Sequence, residues 1–285
     1  MSIAKLRKEY HQRICNEIII LHKDGNTIYP NFADKGSIAS RAIANGIIKQ
    51  IGYSPRYTDL SGQTAGGLFE TITRTFLEKS FALLQHLRPG EWLYSTQSSI
   101  SDFDQYEHLA GIERIVEHNI DLATSLGKDY IIKPDIVIGR QPVPDKEINQ
   151  NEIIVSSKDA FPKLTPFRKI NFEHPRPILH ASISCKWTLR SDRGQNARTE
   201  ALNLIRNRKG KLPHIVSVTA EPLPTRIASL ALGTGDLDCV YHFALSELIE
   251  TIQEIQNEDQ LDMLMMLING RRLRDISDLP FDLAT

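Results

Sequence analysis

The chain has 285 residues, 41% hydrophobic and 24% charged, with a formal net charge of -1. It is long enough to bury a sizeable core without disulfide or metal staples, and its neutrality excludes a protein that holds polyanions by bulk charge, so any grip on nucleic acid must come from local clusters of base. Cys15, Cys185 and Cys239 are odd in number, far apart and form no C-x-x-C pair, which argues against a disulfide framework or a cysteine zinc site and fits a reducing cytoplasm.

Residues 1–10 hold basic side chains without an apolar segment, and the longest early apolar run, Ile18 to Leu21, is far too short to span a bilayer. Mixed helices and loops are expected to about Lys49. The glycine-rich DLSGQTAGG at 59–67 reads as a loop. A helix follows with Phe69, Ile72, Phe76, Leu83 and Leu87 near one face, stopped by Pro89-Gly90. EWLYST at 91–96 reads as a short strand, and 108–126 as a helix ending near Gly127. YIIKPDIVIG at 130–139 has the Ile/Val content of a strand. Residues 140–176, rich in Pro, Lys, Asp and Asn, read as an irregular connection, with a short strand expected at 152–156.

Beyond it come a strand at 178–189, a helix from about Asp192 to Asn207 and a strand at 214–221. A helix near 224–232, a strand at 238–245, and amphipathic helices near 246–256 and 258–268 complete the chain. This alternation predicts an α/β fold with a mixed sheet flanked by helices. No linker separates independent domains.

Within this frame Asp135 stands directly before Ile136-Val137-Ile138, where a carboxylate is costly unless paired or bound to a cation. Lys186 lies in the strong strand ASISCKWTL, an unusual place for lysine. Glu200 follows on the next helix. Two acids and a lysine suit phosphodiester cleavage: Mg²⁺ takes carboxylate, water and phosphate oxygens, and an ammonium orients the nucleophile. Taken singly, each residue has a plainer explanation. A Pro-Asp pair is usually a turn, and Pro144-Asp145 is a second such pair. Lys186 would also serve as an edge-strand guard, and Glu200 as a solvated helix residue.

Residues 186–211 carry Lys186, Arg190, Arg193, Arg198, Arg206, Arg208, Lys209 and Lys211, opposed only by Asp192 and Glu200. A basic helix C-terminus explains the later ones. It does not explain Arg190-Ser191-Asp192-Arg193 at a helix start, where the dipole disfavours cations. Ser191 or Asp192 can cap the helix. Arginine pairs bidentately with guanine O6 and N7 and aspartate accepts from cytosine N4, so this cluster suits readout of adjacent G and C bases, or phosphate binding.

These residues sit in long motifs: LHASISCKWT at 179–188, RSDRGQNARTEALNLIRNRKGKLPHIV at 190–216, TAEPLPTRIASLALGTG at 219–235, DCVYHFAL at 238–245, NGRRLRDISDLPFDLA at 269–284 and GQTAGGLFE at 62–70. Together they resemble the NgoMIV-like type II restriction endonucleases, in the CCGG-recognising group of the PD-(D/E)xK nuclease superfamily. The resemblance spans most of the chain and is weakest in 1–30 and 140–176. It implies a restriction-endonuclease-like fold and a single endonuclease domain over residues 1–285.

Residue by residue, the resemblance makes Asp135 the metal-binding aspartate and Lys186 the catalytic lysine. Ser184 stands where most of the superfamily has an acid. The CCGG group shares that departure and takes the acid from the next helix, here Glu200. Glu70 matches a further acid near the active site, and Cys185 is expected to offer its backbone carbonyl to a metal ion. Arg190, Asp192 and Arg193 match the inner CCGG readers, with Ser191 among them. Asp34 and Arg226 look like the pair reading the outer G·C, and Gln63 like a minor-groove contact.

The implied target is double-stranded GCCGGC, cut after the first G to leave four-base 5′ overhangs, with Mg²⁺ as cofactor. A palindrome implies a two-fold dimer. The family further suggests a homotetramer of two dimers, and a cognate DNA methyltransferase acting on the same site without needing to bind this protein. No membrane partner is expected. Two other readings are a sequence-specific DNA-binding protein without cleavage and a metal-dependent hydrolase of small phosphate esters. The first has no need for acids near phosphate, and the second none for arginines at a helix start.

Overall fold

The computed structural model describes residues 1–56, 60–118, 132–159, 161–169, 175–189, 191–233 and 235–285. Helix α1 (Ile3–Glu17) is followed by strands β1 (Leu21–Asp24) and β2 (Thr27–Pro30), then α2 (Ile38–Ile51), α3 (Gly62–Leu83), β3 (Trp92–Ser95), α4 (Glu107–Glu117) and β4 (Ile136–Arg140). Strand β5 (Ile178–Lys186), α5 (Ser191–Asn207), β6 (His214–Thr219), α6 (Pro224–Ala231), β7 (Cys239–His242), α7 (Leu245–Glu254), α8 (Glu258–Asn269) and β8 (Leu273–Asp275) follow. Strand order is β3-β4-β5-β6-β7-β8. Antiparallel pairing of β3 with β4 and parallel pairing of β6, β7 and β8 make the sheet mixed, as expected from the alternating pattern. No described helix is long and apolar enough to cross a membrane.

The chain resolves into two compact units. One comprises Met1–Arg88, Ile183–Ala201 and Ile215–Thr285; the other comprises Pro89–Ser182 and Leu202–His214. In the first, β6, β7 and β8 run in register, with Val216 opposite Cys239 and Val240 opposite Leu273. Val216, Val218 and Val240 are buried, as are Ile43, Ile47, Leu248 and Ile252 of α2 and α7. Helices α2 and α7 approach closely at Gly46, where a Cβ would lie 2.2 Å from Thr251 Cγ2. The Tyr10 and Thr73 hydroxyls, 3.1 Å apart, join α1 to α3. Arg7 donates bidentately to Glu247, at 2.7 Å twice, and also to Asp275. These bonds hold Glu247 and Asp275 below the usual carboxylate range despite their burial.

In the second unit, β3 and β4 pair from Trp92–Arg140 to Ser95–Val137. Gln105 completes β5 with its side chain, accepting from Leu179 N and donating to Leu179 O, each at 2.8 Å. The expected strand at 152–156 is absent. Asn149 takes up that backbone instead: its Oδ1 accepts from Ile154 N and Val155 N, and its Nδ2 donates to Val155 O. Arg168, nearly fully buried, gathers Asp145 and the carbonyls of Pro162 and Ser156.

Other boundaries also move. Helix α3 reaches back to Gly62 because Ser61 caps it, accepting from Thr64 N at 3.1 Å, so much of the expected 59–67 loop is helical. It ends at Leu83 rather than at Pro89-Gly90. The predicted 108–126 helix corresponds to α4, and residues 119–131 lie outside the described ones. The β1–β2 hairpin was not anticipated, although Asp24-Gly25-Asn26 is a turn signal: Gly25 has φ 59 and the pairing register places Asp24 opposite Thr27.

Candidate active site

Lys186 closes β5, and two bonds to its carbonyl fix where it stops. Thr219 Oγ1 donates to Lys186 O at 2.8 Å and Ala220 N at 3.3 Å. Strand alternation puts Ser184 and Lys186 on one face and Cys185 on the other. The next residue, Trp187, is buried and meets Phe32, Phe69 and Phe243 at ring separations of 5.5, 5.2 and 6.2 Å. Phe69 immediately precedes Glu70 on α3, so this aromatic cluster anchors the chain beside both Lys186 and Glu70. Glu70 and Glu200 are half-buried on α3 and α5.

Asp135 belongs to the other unit, half-buried directly before the fully buried Ile136, Val137 and Ile138 of β4. Glu70, Asp135, Lys186 and Glu200 all take part in polar or electrostatic interactions. Among the described residues, no three His, Cys, Asp or Glu side chains gather as a metal-holding group.

The donor chemistry nevertheless suits a hard divalent cation. Within the first unit Glu70 and Glu200 offer carboxylate oxygens, and the Ser184 hydroxyl is buried without a hydrogen-bond partner. The cysteines suit a soft ion poorly. All three are buried and outside disulfides, and burial pushes the Cys15 thiol up to about 12 and that of Cys239 to about 11, away from the thiolate form that binds zinc.

Asp34 and Arg226, matched in sequence to an outer-base pair of readers, are brought together: Arg226 Nη2 donates to Asp34 Oδ2. Asp34 is oriented by its own turn, its Oδ1 accepting from Gly36 N and its backbone N–H donating to Ser40 Oγ, both at 2.9 Å. Behind Arg226 lies Glu221, 1% exposed, with Oε1 3.9 Å from Arg226 Nη1. Sequence reading passed over Glu221. Its signal was an acid two residues after the buried strand β6.

Helix α5 begins at Ser191, one residue before the expected start. Arg190 lies outside the described residues, as do the side chains of Ser191, Asp192 and Arg193. Gln63 is exposed in the first turn of α3 rather than in a loop. Arg198 turns inward over Gly233, where a Cβ would lie 2.5 Å from Nη2. Asp145, of the second Pro-Asp pair, is engaged by Arg168, which holds its carboxyl below the usual range.

Comparison with known proteins completes the picture. The family described as NgoMIV restriction enzyme matches residues 10–285. Over 279 residues the chain is 48% identical to the type II restriction enzyme NgoMIV of Neisseria gonorrhoeae, covering 93% of this chain and 96% of that protein. The chain belongs to the NgoMIV restriction enzyme family. Membership makes it a type II restriction enzyme, a site-specific endonuclease, and its mixed sheet flanked by helices is the restriction-endonuclease-like fold. Among solved structures, the chain is similar to the PspGI–substrate DNA complex, at 16% identity and TM-score 0.35, covering 99% of this chain and 92% of that one. It is also similar to Bse634I with cognate DNA, at 14% identity and TM-score 0.36, covering 85% and 99%. Likenesses this distant carry no argument about the site.

Proposed function

We propose that this NgoMIV family member hydrolyses double-stranded DNA in a Mg²⁺-dependent reaction at GCCGGC, cutting after the first G to leave four-base 5′ overhangs. One observation carries the reading: the family match runs from residue 10 to 285 and so takes in every residue to which a role is given. Asp135 and Glu200 would hold the metal with the carbonyl of Cys185, and Glu70 is a further acid of the site. A bound Mg²⁺ lowers the pKa of a coordinated water and offsets charge on the phosphate. Lys186 would direct its ammonium at the attacking oxygen and the scissile phosphate, stabilising negative charge as it develops.

Recognition divides between two groups of residues. Arg190, Asp192 and Arg193, with Ser191, read the inner CCGG from the start of α5. Asp34 and Arg226 read the outer G·C pair, and Gln63 contacts the minor groove. A palindromic target calls for a two-fold dimer, and the family reading extends this to a homotetramer. A methyltransferase modifying the same site would protect host DNA. The whole is read as one endonuclease domain over residues 1–285.

The test is digestion of plasmids with and without GCCGGC, in Mg²⁺ and in EDTA. Mg²⁺-dependent cutting confined to GCCGGC is expected. Cutting at other CCGG sites would remove the outer-pair assignment, and absence of cutting would leave a DNA-binding protein without cleavage.

A further inference from the structure

Glu221 is placed to serve both parts of sequence recognition. It stands two residues beyond the end of β6 and is 1% exposed. Its Oε2 accepts from Leu189 N at 2.9 Å, and Leu189 is the residue before the Arg190-Ser191-Asp192-Arg193 segment. Its Oε1 accepts from Leu223 N at 3.3 Å, at the entry to α6, and lies 3.9 Å from Arg226 Nη1. The Glu221 backbone is held as well: its N–H donates to Thr219 Oγ1 at 3.1 Å, and its carbonyl lies 3.2 Å from His242 Nε2. A buried carboxylate is costly unless its lone pairs are filled, and these lone pairs are filled by groups leading to the two reading segments. We infer that Glu221 is a positioning residue for DNA sequence readout, holding the Arg226 guanidinium from the protein side while tethering the backbone at Leu189.

The inference rests on the proposed outer-pair role of Arg226. Asp34 and Glu221 meet different edges of one guanidinium, Nη2 and Nη1. The Asp34 side chain is partly exposed, on the side from which a base would have to come, whereas Glu221 is enclosed and stays with the protein. An arginine held by a buried acid loses fewer rotamers on meeting guanine, which sharpens its geometry. Desolvation outweighs the opposing influence of the two N–H donors and Arg226 and pushes the Glu221 carboxyl up to about 7. Such a strained acid marks a position where a neutral or apolar residue would be less costly to fold.

The experiment compares cleavage rates on GCCGGC and ACCGGT duplexes for the wild type and for Glu221→Gln, Glu221→Asp and Arg226→Ala. A ratio taken on two duplexes in one preparation is independent of the fraction correctly folded, so partial misfolding does not obscure it. Both Glu221 variants are expected to lower the ratio at least tenfold, Glu221→Gln while still rejecting duplexes altered at the inner bases. An unchanged ratio in both Glu221 variants, with collapse in Arg226→Ala, overturns the role of Glu221 alone. An unchanged ratio in Arg226→Ala, or a wild type that cuts both duplexes alike, overturns the outer-pair reading and this inference with it.

Discussion

Arg226 and Asp34, 192 residues apart in the chain, form an ion pair between two half-exposed side chains. Each therefore has a partner before any base arrives, and reading DNA would mean exchanging that partner for guanine and cytosine. A pair this exposed contributes only about 0–1 kcal/mol to folding. Asp34→Asn should leave stability within about 1 kcal/mol of wild type. It should nevertheless cost about 1–3 kcal/mol of discrimination between GCCGGC and ACCGGT. Binding titrations alongside urea unfolding separate the two effects. Lost stability with intact discrimination would give the pair a purely structural role.

Asp135→Ala should abolish cleavage while keeping specific DNA binding. Asp135 stands before β4, and Ile136 to Ile138 bury the strand without its help. Gel-shift and cleavage assays on the same duplex decide it. Cutting at the wild-type rate would remove Asp135 from the site.

Gly46→Ala should destabilise the protein although alanine favours helices by about 1 kcal/mol. The added Cβ would come within 2.2 Å of Thr251 Cγ2, and the tight contact of α2 with α7 leaves it no room. A net loss of about 1–3 kcal/mol in urea unfolding is expected, and Gly46→Ala paired with Thr251→Ala should recover part of it. A single variant as stable as wild type would mean that the helices separate easily.

Acid stability should reflect two neighbouring groups of opposite sign. His242 is fully buried and held down to about 4, chiefly by desolvation. Its contribution is present above its ordinary value of about 6.5 and is lost as pH falls toward 4. Glu221, pushed up to about 7 by desolvation, behaves oppositely: its contribution is full below about 4.5 and is lost as pH rises through 7. Between pH 6.5 and 5 the two should largely cancel. Glu221→Gln should expose the histidine, giving a loss of about 2 kcal/mol over that interval in urea unfolding. A variant whose stability stays flat would show that His242 titrates normally.

Much of the fold was legible because its strands are short apolar runs and its helices keep a helical period. Where expectation failed, a local side-chain bond had overridden composition. Glycines at 62, 66 and 67 read as a loop, yet the Ser61 cap starts the helix there. Residues 152–156 read as a strand, yet Asn149 bonds the backbone of Ile154 and Val155 without a sheet.

By itself, the sequence determined the residue types of the site and their local seats. An acid before an Ile/Val strand, a lysine ending another and arginines at a helix start are all set by neighbours a few positions away. Only the tertiary structure decided which distant residues meet. Trp187 seats among Phe32, Phe69 and Phe243, Arg168 draws in Asp145, and Glu221 joins Leu189 to Arg226. These partnerships depend on which helix turns and strand ends the packed core brings side by side. No periodicity along the chain records that, because burial and hydrogen-bond satisfaction are settled jointly by segments far apart in sequence.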